Sequence, residues 1–76
     1  MNKDKRKRIQ KIIDQLTDLG TEIEEIQNKE QESYDNLPES LQDGEKGERM
    51  SDAIDNLDSA FCSLGDAISY LDEAIQ

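Results

Sequence analysis

The only abundant reactive groups in this sequence are carboxylates. Asp and Glu number 19 against nine Lys and Arg, the net charge is -10, and His is absent. A carboxylate does acid–base work when burial or a close partner shifts its proton affinity, and the solvent side of a helix supplies neither. Cys62 stands alone, which excludes a disulfide framework; without His it also excludes a zinc finger and a His-assisted nucleophile. No Ser is backed by a base, no glycine loop has phosphate-cradling spacing, and Asp43 to Asp52 departs from the calcium-loop pattern. The sequence therefore assigns no catalytic residue, no metal ligand and no cofactor, and it reads as a protein that is not an enzyme.

What remains is charge and its placement. Residues 1–11 hold Lys3, Lys5, Arg6, Lys7, Arg8 and Lys11 against Asp4; residues 12–76 hold three basic and 18 acidic side chains, a net of -15. No Lys or Arg follows Arg49, while Asp55, Asp58, Asp66, Asp72 and Glu73 recur there with Tyr70 among them. These six are the candidate partner-binding face, Tyr70 being the one aromatic expected in solvent. The basic cluster has two readings. Lys5, Arg8 and Lys11 pair across a helix interface with Asp66, Asp72 and Glu73, relieving unfavourable helix-end charges. Alternatively, Lys5, Arg6 and Arg8 form an anion-binding end. The acidic excess repels a phosphate backbone, and three aromatics are too few for base stacking, so direct nucleic-acid binding is not expected. No apolar run approaches the ~20 residues of a membrane span, and no signal-peptide core follows Met1. The expectation is a cytoplasmic chain with no membrane contact.

Such a face needs rigid elements beneath it, and hydrophobic spacing supplies them. Ile9, Ile12, Leu16, Leu19, Ile23 and Ile26 are spaced 3-4-3-4-3, and Met50, Ile54, Leu57, Phe61, Leu64, Ile68, Leu71 and Ile75 are spaced 4-3-4-3-4-3-4. Both are coiled-coil stripes. They predict one all-α domain over residues 1–76: a helix over about 3–34, a turn over about 35–47 and a helix over about 47–76. Pro38 breaks the first helix at Leu37 and can open a single helical turn, Pro38 to Leu41. Asp43 to Gly47, with two glycines and no apolar residue, reads as loop. Tyr34, Leu37 and Leu41 are expected to plug the end of the core. The two long helices fold back as an antiparallel hairpin.

The second helix repeats itself at 14 residues, Ala53–Phe61 against Ala67–Ile75, and this places Ala53, Ala60, Ala67 and Ala74 at one heptad position, g. Small residues beside the stripe widen the apolar face beyond what one partner helix covers. A chain this short also needs burial from outside itself. The expectation is a homodimer of hairpins, a four-helix bundle, with a lone monomeric hairpin as the alternative. Gly20 and Gly65 each follow a stripe Leu and would share one level, as a point of close helix approach or as a groove where a partner docks. Cys62 is expected beside the seam as a reduced small filler, or else as a dimer-linking thiol.

The segment Glu32-Ser33-Tyr34-Asp35-Asn36-Leu37-Pro38-Glu39-Ser40-Leu41-Gln42, followed by the acidic Ala-Ile-x-x-Leu repeats, resembles a group of small functionally uncharacterised helical proteins of Gram-positive bacteria and their phages. The resemblance implies an accessory protein of a mobile element, one that inhibits a host defence protein, and it carries no catalytic residues. In architecture the chain also resembles the RNA-binding Rop bundle, but it lacks that protein's basic face. Three functions follow as expectations. The first is an acidic protein-binding module that occupies a basic host protein by imitating nucleic-acid charge. The second is an oligomeric bundle that sequesters a small anionic ligand or nucleotide. The third is a coiled-coil scaffold.

Overall fold

The computed structural model describes residues 1–76 and is entirely helical outside its termini and turns. Helix α1 runs over Lys3–Asp35, α2 over Glu39–Gln42 and α3 over Glu45–Ala74. Asn2 caps α1, its Oδ1 accepting from the Lys5 backbone N–H at 2.9 Å. The Asn36-Leu37-Pro38 break ends α1 where the sequence places it. No helix is long and apolar enough to cross a membrane.

Helices α1 and α3 lie side by side and run antiparallel in a rod of 58 × 15 × 13 Å. Gly20 meets Phe61 and Leu64, and Gln27 Nε2 donates to Asp58 Oδ1 at 3.5 Å, so facing residues carry numbers summing to about 84. The α3 half of the seam is as the spacing predicts: Met50, Ile54, Leu57, Phe61, Leu64, Ile68, Leu71 and Ile75 are all half-buried.

The α1 half is not. Its covered residues are Ile9, Ile13, Leu16, Gly20, Ile23, Gln27, Glu30 and Tyr34, and Ile13, outside the predicted stripe, is the one buried apolar side chain, at 6% exposure. Ile12, Leu19 and Ile26, inside that stripe, are 43%, 50% and 55% exposed. Two neighbouring columns, 12-19-26 and 13-20-27, flank the Ile9-Leu16-Ile23 ridge. The bare backbone of Gly20 favours the second column, because it admits Leu64 and Phe61: a Cβ there would stand 3.1 Å from Leu64 Cδ2.

The turn also differs from expectation. Gly47 is no loop residue; it lies buried in the first turn of α3, where any Cβ would overlap the Gln42 backbone, with Gln42 Cα only 2.6 Å away. Glycine lets α3 begin directly against α2. Gln42 then reaches back, its Nε2 donating to the carbonyls of Tyr34 at 3.0 Å and Leu37 at 3.1 Å. The Tyr34 oxygen, in the last turn of α1, also accepts from the Leu37 backbone N–H at 3.1 Å, and the Leu37 oxygen lies just beyond the helix, where no intrahelical donor reaches it. Tyr34 and Leu37 are half-buried as expected, but Leu41 is 47% exposed because α2 turns Gln42, not Leu41, toward the seam.

Candidate functional site

Helix α3 carries the candidate acidic face, and all six of its residues are exposed: Asp55, Asp58, Asp66, Tyr70, Asp72 and Glu73. At about 100° per residue, Asp55, Asp66 and Glu73 project directly away from α1. Tyr70 stands on the edge of the same outer face and is 73% exposed. Asp58 and Asp72 lie apart from them, turned toward the groove between the helices, and Asp58 accepts the weak bond from Gln27. Cys62 is exposed. It belongs to the outer face with Asp55 and Asp66 and is not a filler beside the seam.

No cation neutralises this face. The one ion pair in the chain joins Arg49 Nη2 to Glu45 Oε1 at 2.6 Å, with both side chains more than three-quarters exposed, 77% and 79%. The expected pairing of Lys5, Arg8 and Lys11 with Asp66, Asp72 and Glu73 is absent. Register explains why. Helix α3 ends at Ala74, level with residue 10 of α1, so Lys5 and Arg8 sit on a segment that projects past it. Asp66 lies level with Asp18. Lys11 does share a level with Glu73, but the two point to opposite sides of the rod.

The projecting segment gathers Met1, Lys5, Arg8, Ile9 and Ile12 around one shallow depression, with no residue of α3 in its wall. Arg6 is not among them; the helix aims it about 100° or more from Lys5 and Arg8. The candidate anion-binding trio is thus a pair plus an outlier.

Two further surfaces flank the seam. On one flank, Thr17, Gly20 and Thr21 of α1 and Phe61, Leu64 and Gly65 of α3 line a shallow groove. Gly20 and Gly65 do share this level, but only Gly20 is a point of close approach; a Cβ at Gly65 would meet nothing within 4 Å. On the opposite flank lie Ile12, Leu19 and Ile26, with a second depression running along α1 past Ile12, Leu16 and Leu19. Periodicity alone did not single out this exposed column. Its signal was the Ile12-Ile13 doublet, which leaves one isoleucine beyond whichever seam forms. No group of His, Cys, Asp or Glu is placed to hold a metal ion. Comparison with protein-family models, with curated proteins and with solved structures finds no match.

Proposed function

We propose that the chain is a small acidic protein-binding module that occupies and inhibits a basic, nucleic-acid-binding host protein. On this reading the antiparallel helical hairpin is half of a homodimeric four-helix bundle acting in the cytoplasm. The resemblance of the Asn36–Gln42 turn supports reading it as an accessory protein of a phage or mobile element that inhibits a host defence protein. One observation carries the reading: the outer carboxylates of α3 are exposed on a rigid helix and paired with no cation. Fixed, unneutralised charge accelerates encounter with a basic surface and selects against acidic ones. Charge density favours the dimer as the active form. A net charge of -10 over 58 Å is one charge per ~6 Å, against one per ~1.7 Å in duplex DNA. Two chains side by side halve the gap to ~3 Å.

Sequestration of a small anion by Lys5, Arg6 and Arg8 has weaker support, since Arg6 points away from the other two. A scaffold role has no feature of its own, because a soluble coiled coil presents carboxylates in any case. The test is affinity capture from the source cell with the wild-type chain and with Asp55→Lys/Asp66→Lys/Glu73→Lys, at salt from about 50 to 500 mM, which takes the Debye length from roughly 14 to 4 Å. The proposal expects a basic partner held at low salt, released at high salt and lost in the triple variant. Binding indifferent to both would refute it.

A further inference from the structure

The face made by Ile12, Leu19 and Ile26 has a companion on α3. The groove on the other flank joins Thr17 and Thr21 to Gly65, so those edges of the two helices share one side of the rod. At about 100° per residue the remaining edges share the opposite side: Ile12, Leu19 and Ile26 of α1 with Ala60, Ala67 and Ala74 of α3. All six are exposed. Register aligns them in three levels, Ile12 with Ala74, Leu19 with Ala67 and Ile26 with Ala60, each pair of numbers summing to 86 and so close to the facing register. Successive levels are seven residues, ~10.5 Å, apart. The result is a ridge of large side chains beside a trough of alanines along about a third of the 58 Å rod.

We infer that this face is covered by a second copy of the chain, related by a two-fold axis that lies in the interface, crosses the helices at right angles and passes over both Leu19 and Ala67. The inference rests on the dimer proposed above and adds its surface and its symmetry. Three observations choose the occupant. First, burial falls short within one copy: its accessible surface is 5834 Å², where a compact protein of this mass exposes roughly 4,700 Å², and the excess is on the scale of the ~800 Å² each partner gives to a stable interface. Second, Leu19 is the midpoint of α1, so an axis there overlaps two 58 Å rods along their whole length. Third, charge selects among the two-fold arrangements. An axis parallel to the helices would set each ridge against the other copy's trough but gather both basic ends, Lys3 to Arg8, at one end of the bundle. The perpendicular axis pairs α1 residues whose numbers sum to 38. It sets Leu19 against its own copy, Ile12 against Ile26, and Arg8 against Glu30, on the side of the helix that bears the ridge. The basic segment 3–8, net +4, then lies over segment 30–35 of the other copy, net -3. The depression at Met1, Lys5 and Arg8, which α3 does not reach, is closed by the same contact.

Cysteine pairing separates the arrangements. In a Cys62→Ser background, Leu19→Cys and Ala67→Cys are made singly, checked for helicity and oxidised alone and as a mixture, with sedimentation alongside. The perpendicular axis predicts that each variant links to itself. A parallel axis predicts links only in the mixture, between position 19 of one chain and 67 of the other, which would overturn the inference and keep the dimer. A dimer by sedimentation that links in neither way uses another face and also overturns it; a monomer removes the inference and the dimer together. As an independent readout, Arg8→Glu alone should weaken dimerisation roughly threefold to tenfold, and mixing it with Glu30→Arg should restore it. Equal affinity in all three preparations would contradict the charge pairing.

Discussion

Three glycines lie within the helices, and a methyl group would meet a different neighbour at each. At Gly65 it enters open space, so only helix propensity acts. Gly65→Ala should stabilise the fold by about 0.8–1 kcal/mol, seen as a melting point roughly 4–8 °C higher; an unchanged or lower value would mean that Gly65 is packed in solution. At Gly47 the methyl overlaps the Gln42 backbone, which cannot step aside as a flexible side chain does. Gly47→Ala should therefore cost roughly 1–3 kcal/mol in spite of better helix propensity, and a urea titration that shows no loss would refute the close α2–α3 contact. Gly20 stands between them, because its methyl would press on the movable Leu64 Cδ2 at 3.1 Å. The sequence marks all three as odd residues in a helical pattern, yet it cannot rank them. What decides is the distance to atoms twenty or more residues away, or, at Gly47, to a turn whose path hangs on one side chain.

That side chain belongs to the elements. Gln42 is the last residue of α2 and ties its amide to the Tyr34 carbonyl in the last turn of α1 and to the Leu37 carbonyl just beyond it, bracing the turn that leads into α3. Gln42→Ala should cost about 1–2 kcal/mol by removing both bonds, and Gln42→Glu about as much, since a carboxylate cannot donate. A Gln42→Ala chain as stable in urea as the wild type would show that the turn holds without this clamp. Helix existence and most boundaries were legible beforehand: about 3–34 against Lys3–Asp35, and about 47–76 against Glu45–Ala74. The seam of α1 was not. Ile12 and Ile13 are adjacent and equally apolar, so spacing is satisfied by either column, and the choice falls to Gly20 and the approach of Phe61 and Leu64. The acidic residues were legible as a set, because no basic residue interrupts them after Arg49. Their division between the outer face and the groove edge needed the helix rotation. The absent pairing with Lys5 and Arg8 needed the register, in which α1 outruns α3.

At the scale of the molecule, two helices of 33 and 30 residues pack along one seam and bury a single apolar side chain, Ile13. The other large apolar groups are shared with solvent, and those most exposed within α1, Ile12, Leu19 and Ile26, repeat at seven residues on one side. An apolar strip of this length on so small a chain is an interaction site or an aggregation hazard. The net charge of -10 opposes disordered association but not a registered contact that sets basic ends on acidic ones. The same contact would double the carboxylates along the rod, so the proposed dimer and the proposed charged binding surface belong to one account, in which the apolar side would hold the copies together and the outer sides of α3 would face the partner. Sedimentation equilibrium of the purified wild-type chain beside Leu19→Lys tests this most directly. The account predicts twice the 8.7 kDa chain mass for the wild type, and the single mass for the variant with its helicity retained. A wild-type chain that stays at 8.7 kDa up to about 100 μM, or a Leu19→Lys chain that dimerises equally well, would contradict it.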